Sequence, residues 1–263
     1  MKTVILAGGK GTRMGSTDLP KAMVPIGGKP LLWHIMKGYA ARGFTEFILC
    51  TGHHREVIWR YFAGWLLSGQ LATLDFRSGV GIPLCTQEES DREPWRILLA
   101  DTGEETMTGG RLKRVRHLLG EETFFLTYGD GLSDLDPRDV LDFHREKQAA
   151  VTLSAVRPPA GFGVLSLGAD GTVQEFREKQ FLGDPWINGG FMVMEPEIFD
   201  LLQDDNTVLE RRPLETLAAR GEMAAWRHDG FWQCMDTPAD MDRLEKMWSQ
   251  GQAPWKVWEE QTR

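Results

Sequence analysis

Residues 3–14 read TVILAGGKGTRM. Thr3 to Ala7 is a short apolar run rich in branched side chains, and it stops at Gly8-Gly9. This is the pattern of a buried strand that runs into a loop. Glycines let main-chain amides face an anion with no Cβ in the way, so the loop is a candidate phosphate cradle or else a tight turn. Two familiar phosphate loops do not fit it. A P-loop closes on Gly-Lys-Ser/Thr, whereas the order here is Gly8-Gly9-Lys10-Gly11-Thr12-Arg13. A dinucleotide loop needs a last glycine opening directly into a helix. Met14 stands in that place, and residues 15–30 are too rich in Pro and Gly to be that helix. Lys10, Arg13 and Lys21 bring cations to the glycine loop, and together they could neutralise a triphosphate.

Outward from this stretch, strands and helices alternate. Leu31, Leu32, Ile35, Met36, Tyr39 and Ala40 repeat at helical spacing, and Gly43 ends the run. Phe47 to Cys50 reads as a strand, Glu56 to Leu67 as a helix, and residues 69–95 as irregular. Ile97 to Ala100 is strand-like, Gly110 to Leu119 helical, Phe124 to Tyr128 a strand, and Asp139 to Lys147 helical. This order predicts a parallel sheet with crossover helices. After residue 150 the pattern changes. Val151 to Val156, Gly163 to Leu167, Thr172 to Phe176 and Gly189 to Met194 read as strands, with Gly168-Ala-Asp-Gly171 as a turn. Helical segments follow near 196–203, 213–220 and 238–250. No repeat or linker interrupts the chain. The economical reading is a single domain over 1–263, with a mainly nucleotide-binding half (1–150) and a second half (151–263) that is mixed in structure.

Composition narrows the partners. The chain has 263 residues, 41% hydrophobic and 26% charged, with a net charge of −8. That balance gives no support to a nucleic-acid polyanion as partner, while local cations leave room for a small anionic ligand. No apolar run reaches the length of a membrane span, and the apolar run Val4 to Ala7 is too short for a signal-peptide core. Cys50, Cys85 and Cys234 are far apart and odd in number, which suggests neither a disulfide framework nor a zinc site. A reducing cytoplasm is the expected location. Trp248, Trp255 and Trp258 crowd the C-terminal tail and read as packing or subunit contact.

Two carboxylates stand out. Asp130 follows an apolar strand in Tyr128-Gly129-Asp130-Gly131, and ligands in open parallel sheets collect at strand carboxyl ends. On its own residues it is a turn residue or a Mg²⁺ ligand. Asp236, just before a helix, reads first as an N-cap. Asp134 and Asp136 look like turn and helix-start residues. Glu178-Lys179 reads first as a solvent-facing pair. His34, His53 and His54 show no ligand spacing and read as structural or surface residues.

LAGGKGTRM followed by PKAMVPIGGKP resembles the signature of the sugar-1-phosphate nucleotidylyltransferase family. The segments GGKPLLWHIMKGY, EPWRILLADTGEETMTGGRLKRV, FFLTYGDGLSDLD, INGGFMVMEP, GFWQCMDTPAD and GQAPWKVWE extend the resemblance over residues 4–259. They are similar to a branch of the family that joins CTP to α-D-glucose 1-phosphate. The resemblance implies an α/β fold of Rossmann-like, GT-A type: a mixed, mostly parallel sheet flanked by helices, with a smaller mixed sugar-binding part. It implies Arg13 and Lys21 as catalytic residues, and Asp130 with Asp236 as ligands for Mg²⁺. It places the nucleotide against Leu6, Ala7, Gly8, Gly9, Gly11, Thr12, Arg13, Thr108, Gly109, Gly110, Arg111 and Asp130. It places the sugar phosphate against Gly163, Glu178, Lys179, Asn188 and Gly189. It also implies a homo-oligomer, a hexamer. Three features depart from the family pattern. The loop Met14 to Pro20 is short, Pro20-Lys21-Ala22 lacks a second proline, and Glu178-Lys179-Gln180 lacks its proline too. The competing expectations are a UTP- or dTTP-dependent relative and a non-catalytic nucleotide-sugar binder.

Overall fold

The computed structural model describes residues 1–9, 11, 19–67, 71–75, 80–84, 93–157, 164–167, 173–177 and 186–262. In chain order, β1 (Lys2–Leu6) leads through a short 3₁₀ turn at Lys21–Met23 to the small hairpin of β2 (Pro25–Ile26) and β3 (Lys29–Pro30). Helix α1 (Leu31–Ala40), β4 (Glu46–Thr51) and α2 (Arg55–Leu67) follow, then β5 (Leu71–Asp75), β6 (Val80–Leu84) and β7 (Arg96–Asp101). Next come α3 (Thr108–Arg114), α4 (Arg116–Leu119), β8 (Phe124–Tyr128), β9 (Gly131–Ser133) and α5 (Pro137–Lys147). The remainder is β10 (Val151–Val156), β11 (Val164–Leu167), β12 (Val173–Arg177), β13 (Ile187–Met194), α6 (Arg212–Ala219), β14 (Met223–His228), β15 (Trp232–Cys234) and α7 (Pro238–Ser249).

Seven strands form the central sheet in the order β14-β10-β13-β8-β1-β4-β7. The β8-β1-β4-β7 pairings are parallel, as is β10 with β14, and β13 alone runs antiparallel to both its neighbours. The sheet is mixed and mostly parallel, as the resemblance implies; the alternating pattern by itself predicts only its parallel part. Strands from both halves of the chain contribute to it. Its carboxyl edge gathers the ends of β1, β4 and β8, and the reversed β13 brings its first residues to that same edge.

Both faces are covered, and the sequence shows why. Along β1, Ile5 faces one core while Val4 and Leu6 face the other. Phe47 and Leu49 against Ile48 and Cys50 repeat the alternation on β4, and Phe191 and Val193 against Met192 and Met194 repeat it on β13. Side chains that alternate along a strand supply two cores from one sheet. The first face packs α1, α2, α5 and α7 through Leu32, Met36, Ile58, Val140 and Leu244. The second packs α3, α4 and α6 through Leu112, Leu119 and Leu217. Helix starts follow local chemistry. Asp136 caps α5 by accepting from the Arg138 N–H at 2.9 Å, with Pro137 in the first turn.

Some elements differ from the sequence reading. Residues 71–75 and 80–84 pair as an antiparallel hairpin where an irregular stretch was expected. Gly81 and Pro83 inside one strand mask its signal. The helix expected over 110–119 breaks at Val115 into α3 and α4. Strands β9, β14 and β15 were not foreseen, being short or half exposed. The expected turn at 168–171 lies outside the described residues. Among the described residues, no helix is long and apolar enough to cross a membrane.

Candidate active site

The site is built where β1 and β8 end. Past Leu6, the Ala7 N–H donates to the Cys50 carbonyl at 3.0 Å, and the Gly129 N–H to the Leu6 carbonyl at 3.0 Å. The chain therefore leaves both strands side by side. A cavity of about 330 Å³ opens there, lined by residues that include Leu6, Ala7, Gly8, Gly9, Gly11, Lys21, Thr108, Arg111 and Asp130. Gly8 is needed for its closeness: a Cβ there would lie 2.2 Å from Arg111 Nη1.

Arg111 is buried and braces the loop from behind. Its Nη2 donates to the Gly8 carbonyl at 2.9 Å and the Glu104 carbonyl at 3.2 Å. Its Nη1 donates to Gly103 O at 2.7 Å, Thr102 Oγ1 at 2.9 Å and Thr51 O at 3.2 Å. One guanidinium thus fixes the turns after β1, β4 and β7 relative to one another. Gly109 and Gly110 both donate their N–H groups to the Thr207 carbonyl, at 2.9 and 3.2 Å, and lie behind the cavity wall. In this stretch the wall itself is Thr106, Met107, Thr108 and Arg111.

Lys21 sits on the 3₁₀ turn between two acids. Its Nζ is 3.1 Å from Asp130 Oδ2 and also bonds Asp236 Oδ1. Burial alone would lower the lysine pKa, but the charges of Asp130 and Asp236 outweigh it and hold the ammonium above its ordinary range. Asp236 is delivered by β15, since the Met235 N–H donates to the Asp130 carbonyl at 2.8 Å. It is not the N-cap that its position before a helix suggests. Thr237 takes that role, in a capping box with Asp240, which leaves Asp236 aimed at Lys21. Asp130, Cys234 and Asp236 offer ligand atoms all within 4.8 Å of one another. Burial, then the two carboxylates, push the Cys234 thiol well above its ordinary pKa. The hard oxygen donors of the two acids suit Mg²⁺, while a protonated thiol is no ligand for it.

A second cavity of about 350 Å³ adjoins the first at Tyr128 and Asp130. Asn188, Gly189, Gly190, Glu210, Trp232 and Cys234 line it. Gly190 has φ +84° and lies against Tyr128, where a Cβ would be 2.6 Å from the ring. Asn188 Oδ1 accepts from the Gly190 N–H at 2.9 Å and holds this bend. Glu210 lies in none of the quoted segments, and Tyr128 and Trp232, though inside two of them, were given no role from the sequence; only the fold brings the three together here. Thr12, Arg13, Gly163, Glu178 and Lys179 lie outside the described residues. His34 is buried, with Nε2 2.8 Å from the Ile26 carbonyl, and His53 lies beside Glu104, so neither enters the site.

A nucleotidyl transferase family model matches residues 2–223. The glucose-1-phosphate cytidylyltransferases of Salmonella typhimurium and Salmonella typhi are each 46% identical over 262 residues, which covers 98% of this chain and 100% of theirs. A mannose-1-phosphate guanylyltransferase of Mycobacterium tuberculosis is 31% identical, covering 95% of this chain and 65% of its own. Among solved structures, HddC from Yersinia pseudotuberculosis superposes with a TM-score of 0.69 at 22% identity, over 94% of this chain and 99% of that one. A UDP-glucose pyrophosphorylase complexed with UDP-glucose gives 0.65 at 17% identity, over 95% and 98%. Those two likenesses are of fold. With a family match over most of its length and full-length relatives at this identity, the chain belongs to the nucleotidyl transferase family.

Proposed function

We propose that this chain transfers the cytidylyl group of CTP to α-D-glucose 1-phosphate, forming CDP-glucose and releasing pyrophosphate. The observation that carries the reading is the meeting of two cavities at Asp130, beside the Lys21 ammonium. One is walled by the glycine loop and suits a nucleotide. The other is walled by Asn188, Glu210 and Trp232 and suits a sugar. The full-length identity to proteins named glucose-1-phosphate cytidylyltransferase supports CTP and glucose 1-phosphate over other pairs.

A phosphate oxygen of the sugar phosphate attacks the α-phosphorus. The new bond is that oxygen to phosphorus. The bond that breaks joins the α-phosphorus to the bridging oxygen, which leaves on pyrophosphate with the electron pair. The nucleophile is already an anion at neutral pH, so no general base is required. The obstacle is repulsion between polyanions, and catalysis becomes positioning and charge neutralisation. Lys21, kept protonated by its two acids, offers a fixed cation at the junction of the cavities. Arg13 and Lys179 are the further cations that the sequence assigns to this task. Asp130 and Asp236 are the residues that would hold Mg²⁺, which when bound supplies positive charge to the triphosphate. Glu178 and Asn188 belong to the sugar side. A cytoplasmic homo-oligomer, a hexamer, completes the reading.

The test is a panel of CTP, UTP, dTTP and GTP against hexose 1-phosphates with Mg²⁺, read by pyrophosphate release. CTP with glucose 1-phosphate is expected to exceed the other pairs in kcat/KM by about 10²-fold or more. Preference for another pair overturns the choice of substrates. Binding of CDP-glucose with no pyrophosphate release from any pair overturns the enzymatic reading.

A further inference from the structure

Glu210 belongs to no motif, yet it occupies a distinctive place in the site. Its Oε1 accepts from the Tyr128 hydroxyl at 2.5 Å, and its Oε2 accepts from the Thr108 hydroxyl at 2.7 Å. Both donors are themselves fixed. Tyr128 ends β8 with its ring against Gly190, and Thr108 Oγ1 also accepts the Leu209 N–H at 2.9 Å. Burial, then the neighbouring Glu210 charge, raise the Tyr128 phenol well above its ordinary pKa, so it stays a donor. The carboxylate is thus anchored at both oxygens, yet Glu210 remains exposed and lines the second cavity.

The chemistry of that placement is specific. Each carboxylate oxygen has two acceptor positions, and among the described residues each has one protein donor, so one position at each oxygen faces the cavity. A phosphate is repelled by such a group. A neutral hydroxyl is attracted to it, and charge-assisted bonds of this kind are the strong ones. Glu210 does not line the first cavity, so the hydroxyl belongs to whatever fills the second. We infer that Glu210 is a specificity-determining residue that accepts a hydrogen bond from a hydroxyl of the hexose, an inference that rests on the sugar-phosphate transfer proposed above. Tyr128 and Thr108 set the position of this acceptor, and through them the sugar contact is tied to the nucleotide wall.

Monodeoxy analogues of the hexose 1-phosphate that the enzyme turns over provide the test, with Glu210→Gln as the near-isosteric variant. In the wild-type enzyme, removal of one particular hydroxyl is expected to lower kcat/KM by roughly 10- to 100-fold, the scale of one hydrogen bond to a charged group. In Glu210→Gln that penalty should shrink severalfold, with KM for the intact sugar phosphate raised and KM for CTP nearly unchanged. Glu210→Asp, which keeps the charge but withdraws it, should show the same loss of selectivity if the Gln variant folds poorly. A purely structural role would lower activity on every analogue alike. An unchanged analogue profile in both variants, or an effect confined to KM for CTP, overturns the assignment of Glu210 alone. Failure of the wild-type enzyme on every sugar phosphate overturns the proposed function and the assignment with it.

Discussion

Arg111 and Lys21 are both cations at the nucleotide cavity, and their surroundings give them different tasks. Arg111 is saturated by five acceptors, four of them backbone carbonyls. It acts as a brace between loops. Lysine has three donors on one centre and cannot reproduce that fork. Arg111→Lys is expected to lower stability by about 2–3 kcal/mol, on the scale of leaving buried carbonyls unpaired. Denaturant unfolding checks this, and an unchanged midpoint would refute the brace. Lys21 holds acids that face the cavity junction. Lys21→Met should reduce turnover by about 10²-fold, the scale of losing one transition-state donor, while the far-ultraviolet circular dichroism stays the same. Turnover within a few-fold of wild type at saturating substrates would remove Lys21 from the chemistry.

At the scale of elements, the decisive contact is between the start of α3 and residues 205–210. The Met107 N–H donates to the Asp205 carbonyl at 2.8 Å, and the Gly109 N–H to the Thr207 carbonyl at 2.9 Å. A Cβ on Gly110 would lie 2.5 Å from the Asp205 carbonyl oxygen. Gly110→Ala must therefore push the segment away, and with it Glu210. The expected cost is about 1–3 kcal/mol, the usual range for overpacking, together with a raised KM for the sugar phosphate. Thermal unfolding and steady-state kinetics read the two effects separately. A variant with wild-type Tm and KM would show that this contact gives way freely. The resemblance places Gly109 and Gly110 against the nucleotide, and in this structure their N–H groups meet the Thr207 carbonyl.

At the scale of the molecule, the C-terminal tail closes one face of the sheet. Trp255 is 1% exposed and packs with Trp248 around His34 on α1, and Trp258 adds an edge contact to Trp33. The Trp cluster is internal packing in this chain. Burial depresses the His34 pKa from 6.5 to about 4, outweighing its backbone hydrogen bonds. The imidazole is therefore neutral in the folded state, while the unfolded chain protonates it near pH 6.5. Stability from this group is full above pH 6.5 and declines as the pH falls to about 4, where the folded form also takes up the proton. The difference amounts to about 3 kcal/mol. Histidine-resolved NMR titration should show His34 neutral down to about pH 4. A midpoint near the ordinary value would contradict its burial.

The sequence by itself determined the strand-and-glycine start, the parallel core of the sheet and the carboxylate that follows β8. Each rests on local chemistry: alternating burial, the reach of a glycine loop, a strand that ends in Gly-Asp-Gly. It also carried enough family pattern to name the nucleotide loop. Only the tertiary structure decided what those residues face. Asp236 looked like a helix cap and proved to be a partner of Lys21, because Thr237 takes the cap and β15 carries Asp236 to Asp130. Arg111 came to the nucleotide site only through the family resemblance, and its guanidinium is held by loops after three different strands. Glu210 had no signal at all, since the residues that give it meaning, Thr108 and Tyr128, lie far away along the chain. Spacing along a sequence reports which residues share an element. Which side chains share a cavity depends on the order of strands in the sheet, and that order is fixed by packing over the whole chain.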